Sequence, residues 1–208
     1  MKRRIFITSL AAFLLVFGVI AATLAFFTDQ EEAKNTFTVG NIQVAIEEDN
    51  GLDPEDPNYK KDDAYRNWLD DQVLMPGDGN SLPKHVRFKN TGSNKSYIRG
   101  RLLVPKAIDD LITLQSGDLS KWTVLASTPE VTHNGKTYIQ YSALFNDVVN
   151  PGAYTTELMN AIKMNANVDQ DDLVGITDWH IVVMVDSIQA DGFTNATTAF
   201  QAFDNPTP

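Results

Sequence analysis

The chain contains no cysteine. Disulfides therefore cannot hold it together, and neither a thiol nucleophile nor a thiolate metal ligand is available. Histidine is nearly as scarce. His85, His133 and His180 are the only three, and no pair has the His-Glu-x-x-His spacing of zinc peptidases, so a zinc site would have to converge from distant strands. Basic residues are also in the minority: 17 Lys and Arg face 27 Asp and Glu, for a net charge of −10. That balance argues against nucleic acid as a partner and suits solvation, divalent cations or basic partners. No glycine-rich loop is built to cradle phosphate, because Met75-Pro76-Gly77-Asp78-Gly79-Asn80 has the wrong flanks and no lysine where one is needed. Ser142 and Ser187 lack the context of a nucleophile elbow, and the aromatic residues are not interleaved with a basic surface. Nothing here requires a cofactor.

What is present begins with the N-terminal stretch. Lys2, Arg3 and Arg4 precede an apolar run from Ile5 to Ala25, which ends abruptly at Phe26-Phe27-Thr28-Asp29-Gln30-Glu31-Glu32. This is the pattern of an export signal, with positive charge on the cytoplasmic side and small residues, Thr23 and Ala25, at the positions a signal peptidase reads. Cleavage is placed between Ala25 and Phe26, making residues 1–25 a signal peptide and residues 26–208 one domain of ordinary size. The alternative is a retained anchor, since Ile5 to Ala25 reaches the roughly 20 residues needed to span a bilayer. The membrane is a partner only through this segment. Loss of Lys2, Arg3 and Arg4 would make the remaining chain still more acidic.

Along the exported part, Ile42, Val44 and Ile46 alternate with Gln43 and Ala45, predicting a half-buried strand. Residues 47–71 then carry ten acids against Lys60, Lys61 and Arg66, broken by Pro54 and Pro57, and read as an acidic loop inserted in the domain. Asp53, Glu55 and Asp56 suggest a calcium loop, but the glycine and distal glutamate of an EF-hand are missing, and simple solvation is the plainer reading. His85 to Asn90 and Tyr97 to Val104 read as antiparallel partners in one hairpin. Lys106 to Trp122 reads as a helix, from Ile108, Leu111 and Ile112. Trp122 to Ala126 is a strand, and Asn134-Gly135 is the strongest short hairpin signal in the chain. Leu158 to Met164 and the aliphatic run Ile181-Val182-Val183-Met184-Val185 are further strands, the latter central. Asn195 caps a short helix whose Phe200 and Phe203 fold back on the sheet. About eight short strands, few helices and no βαβ alternation predict an all-β domain, a jelly-roll-like β-sandwich.

Four stretches together resemble a known family. They are Ala22-Thr23-Leu24-Ala25-Phe26-Phe27-Thr28-Asp29, then Asn35-Thr36-Phe37-Thr38-Val39-Gly40-Asn41-Ile42, then Met75-Pro76-Gly77-Asp78 with Phe88-Lys89-Asn90-Thr91-Gly92-Ser93, and Ile188-Gln189-Ala190-Asp191-Gly192-Phe193. In these the chain is similar to the TasA and camelysin (CalY) proteins exported by Gram-positive bacteria, whose signals are cut by a SipW-type signal peptidase. It departs from them in residues 47–71 and in its middle. The resemblance implies a jelly roll and an extracellular, biofilm-matrix or cell-surface role, with copies of the chain or a related matrix subunit as partners. Polymerisation would pass an N-terminal strand carrying Phe26, Phe27, Thr28 and Phe37 into a neighbour's sheet; Phe26 to Phe37 can extend roughly 40 Å. The alternative is that these residues pack on their own domain. Camelysins are also classed as metallopeptidases, so the resemblance carries a zinc-peptidase alternative for which no motif is found here. A third reading is a monomeric surface-binding or fibre-anchoring subunit.

Overall fold

The computed structural model describes residues 42–61, 76, 81–176 and 180–206, and residues 28–32 as a backbone strand. Among the described residues ten strands form two antiparallel sheets. They are β1 (Thr28–Glu32), β2 (Val44–Asp49), β3 (Ser81–Asn90), β4 (Ser96–Pro105), β5 (Ile112–Ser116), β6 (Trp122–Val124), β7 (Glu130–His133), β8 (Lys136–Phe145), β9 (Met159–Met164) and β10 (Val182–Gln189), followed by one helix, α1 (Ala196–Asp204). The six-stranded sheet runs β1-β10-β4-β8-β6, with β7 sharing the far side of β8, and the four-stranded sheet runs β2-β3-β9-β5.

Period-two burial explains how the sheets meet. On β4, Ile98, Leu102 and Val104 face inward, as do Val183 and Val185 on β10, and they share one apolar core with Val86 and Phe88 of β3 and Met159 and Ile162 of β9. Trp122 lies edge-on to both Phe88 and Phe145, with centroids 6.0 and 5.1 Å away. At the centre of β4 the sequence places Gly100, and the reason is space: a Cβ there would stand 2.7 Å from both Leu158 Cδ2 and Phe88 Cε2. The outer face of the six-stranded sheet is covered by α1, whose Ala196, Ala199 and Phe200 pack on Tyr97, Leu144 and Ile188. Asn195 caps that helix as its sequence predicts, its side chain accepting from Thr198 N at 2.9 Å.

Several sequence expectations hold. Asn134 (φ 48°) and Gly135 (φ 76°) are the positive-φ corner of the β7–β8 hairpin. The aliphatic run becomes β10, interior between β1 and β4. Two expectations fail. β3 and β4 are not a hairpin: β3 pairs with β2 and β9, while β4 pairs with β10 and β8. The chain crosses between sheets there because Asn90, wholly buried, fastens the corner. Its amide donates to Asn94 O and Val149 O, both at 2.8 Å, and its carbonyl accepts from Gly92 N at 3.0 Å. The helix expected over Lys106 to Trp122 is also absent. Single turns close on Pro105 and Ile108, then Ile112–Ser116 pairs with β9, and only a 3-10 turn over Leu119–Lys121 remains. Ile108 and Ile112 are buried all the same, so the apolar spacing that suggested a helix is satisfied by a turn and a strand.

The acidic segment begins later than its composition suggests. Glu47, Glu48 and Asp49 belong to β2, where strand partners supply countercharge: Arg87 Nη2 lies 3.6 Å from Glu47 and 3.3 Å from Asp49, and Lys84 Nζ lies 2.9 Å from Glu48. Asn50 to Lys61 is a looped segment tied back to β2 by a bridge between Asp49 and Lys61, and residues 62–71 lie outside the described residues.

Candidate functional site

Two sites emerge, at opposite edges of the sandwich. The first is the edge made by β1. Thr28, Gln30 and Glu32 stand in register with Ile188, Asp186 and Met184 of β10, so the segment expected to act as an assembly strand is a strand in the same chain's own sheet. Thr28 is the one candidate assembly residue within the described chain; Ala25, Phe26, Phe27 and Phe37 lie outside it.

Behind that edge stands a buried ionic cluster that the sequence reading missed. Asp186 is completely buried on the outer face of β10. It accepts from Arg99 Nε at 2.7 Å and Arg101 Nη2 at 2.6 Å, both from the neighbouring β4. Arg99 also reaches Asp204 at 2.7 Å, and its guanidinium lies over Phe200 and Phe203 at 4.7 and 5.4 Å. The signal was available in retrospect. A lone carboxylate inside an aliphatic strand and two arginines at period two on another strand are groups that cannot be buried apart. The arrangement locks α1 across β10 and β4; its charged groups pair with one another, while Arg101 Nε is buried without a hydrogen-bond partner.

The second site lies at the far edge. A cleft of about 300 Å³ opens between the sheets, walled by Leu102 and Val104 of β4, Ile112 and Leu114 of β5, and Leu158 and Met159. Thr113, Gln115, Ser116 and Ser142 also line it, and within it Tyr141 Oη donates to Asp109 Oδ1 at 2.8 Å. Burial, and then this hydrogen bond, push the Tyr141 hydroxyl up to about 12. The cleft exists because the chain leaves β5 and crosses to the other sheet to make β6, so among the described residues no strand lies beyond β5 in its own sheet.

The remaining candidates do not converge. His85 Nδ1 lies 2.9 Å from Glu157 on β3's side of the molecule, His133 ends β7 beside Asn134, and His180 is exposed just before β10. Asp53 and Asp56 each accept a backbone N–H two residues ahead, from Glu55 and Asn58, and so shape the loop's turns. Among the described residues no group of three or more His, Asp or Glu is gathered as a metal would require.

Comparison with known proteins returned no match. No family model, no curated protein and no solved structure is similar enough to report. The functional reading therefore stands on the fold's edges and on the residue-level resemblance.

Proposed function

We propose that this chain is a secreted structural protein of an extracellular matrix or cell-surface coat, released by signal cleavage and assembled into fibres by exchange of its N-terminal strand. The observation that carries the reading is β1. Five residues close behind the proposed cleavage point form an edge strand antiparallel to β10, and an edge strand beside a chain terminus is the element most easily passed to a second copy. Strand order supports a jelly roll. The first strand neighbours the last, β1 with β10, and β3 neighbours β9 in the other sheet, as in a long hairpin rolled upon itself. β2 is then an addition on the free side of β3.

The test is electron microscopy of the exported protein with N-terminal sequencing of the same sample. Fibres whose subunits begin at Phe26 are expected, and deletion of Phe26 to Asn35 should abolish them. Exported protein that stays dispersed at all concentrations and pH values, indifferent to that deletion, would sink the reading.

A further inference from the structure

We infer that β5 is a self-association edge, at which a second copy of this chain adds its own β5 antiparallel and covers the apolar cleft. The edges of the two sheets are unequally protected. Edge strands are usually blunted by charge, proline, shortness or cover, because their free backbone groups pair with whatever strand arrives. β1 reads Thr-Asp-Gln-Glu-Glu. β2 carries Glu47, Glu48 and Asp49, and the bridge from Lys61 to Asp49 lies against its end. β6 has three residues, and β7 has four with Glu130 and His133 at its ends. Among the described residues β5 has none of these devices: Ile112-Thr113-Leu114-Gln115-Ser116 is five residues long, uncharged and free of proline.

Its backbone is presented for pairing. Asn165 N donates to Leu111 O at 2.9 Å, and bonded pairs alternate along an antiparallel ladder. Thr113 and Gln115 therefore take the bonded positions toward β9, and the N–H and C=O groups of Ile112 and Leu114 point to the open side. The side chains of Ile112 and Leu114 line the cleft, so an added strand with apolar residues at alternate positions would close its mouth.

A second β5 is such a strand. With a two-fold axis at Thr113, Ile112 of each copy stands opposite Leu114 of the other, and Thr113 stands opposite its own counterpart. This register also sets Asp110 against the partner's Ser116. Moving the axis to Leu114 would oppose Asp110 and Asp118 instead, and like-charge repulsion selects against it. The result is one continuous eight-stranded sheet across two copies. The interface is independent of β1, which lies in the other sheet at the opposite edge; fibre subunits joined through N-terminal strands would use it to associate side by side.

Sedimentation equilibrium of the exported chain tests the inference, with Thr113→Glu as the principal variant. In its own chain Thr113 is the cross-strand neighbour of Lys163, so a glutamate there is compatible with folding, yet across the two-fold axis it meets a second glutamate. The wild type is expected to dimerise reversibly below about 1 mM, a modest affinity for an edge pairing. Thr113→Glu should weaken this roughly fivefold, as a like-charged cross-strand pair does, and an equimolar mixture of Thr113→Glu and Thr113→Lys should regain it. Deleting Phe26 to Asn35 should leave the dimer intact even where it abolishes fibres. A wild type that remains monomeric, an unaffected Thr113→Glu, or a dimer lost only with the N-terminal deletion would each overturn the proposal. So would uptake of an apolar dye by the cleft, one dye per monomer, with no association of chains.

Discussion

Asp186 is the residue on which the outer face of the six-stranded sheet depends. Its carboxylate is buried and shared by two arginines, so removing its charge leaves two cations without their common partner. Asp186→Asn is expected to destabilise the fold by about 3 kcal/mol, the scale for breaking a buried ion pair from one side, as read from urea unfolding. Tyr141 makes a prediction of a different kind. Because the folded chain holds this proton up to about pH 12 and an unfolded tyrosine releases it near pH 10, its contribution is complete below pH 10. It is lost as pH rises from about 10 to about 12, since the unfolded chain then binds fewer protons. Melting curves across that range should fall more steeply for wild type than for Tyr141→Phe. Neither residue was singled out in the sequence: a tyrosine and an aspartate in different segments, Tyr141 and Asp109, carry no mark of being hydrogen-bonded until the strands are placed.

At the scale of elements, the local signals were the dependable ones. A helix cap, a two-residue turn and an aliphatic run each contain their own physics, so Asn195, Asn134-Gly135 and Val182–Gln189 could be read directly. Replacing the cap, Asn195→Ala, should cost about 1 kcal/mol, measured by chemical denaturation followed by circular dichroism. The two misreadings share a cause. Apolar residues at 108, 111 and 112 fit a helix equally well as they fit a turn followed by β5, and the partner that decides, β9, is more than forty residues away in sequence on the scale of ordinary long-range pairing. In the same way β3 and β4 look like a hairpin because each is a good strand. What separates them is Asn90, whose three hydrogen bonds reach Val149 and so depend on a loop not yet folded when the segment is considered alone. Asn90→Ala removes those bonds, so Gly92 N and Asn94 O lose their Asn90 partner while Val149 O keeps only Ser96 N. A loss of about 2 kcal/mol is expected, again from chemical denaturation.

For the molecule as a whole, the all-β class was legible from turn clusters and alternation, whereas the assignment of strands to sheets was not. That assignment decides the candidate sites, since both are defined by which strand is left at an edge. The distance between the sheets is set partly by Gly100, against which Phe88 and Leu158 close. Gly100→Ala should cost 1 to 3 kcal/mol, roughly the penalty for overpacking a core, with a lowered midpoint in thermal unfolding and an otherwise β-type spectrum.

The pairing of β1 with β10 has a last consequence. A strand seated in its own sheet and one donated to a neighbour form the same register and the same backbone bonds, so the contact energy of exchange nearly cancels. What remains is a contest between tethered and free partners. Its covalent connection to the rest of the chain holds β1 near its own acceptor at an effective concentration on the order of millimolar. Dilute subunits would therefore stay closed, and chains would join only where export delivers them faster than they diffuse away. Such an assembly would be governed by local crowding at the cell surface, with the length of one connecting peptide setting the threshold.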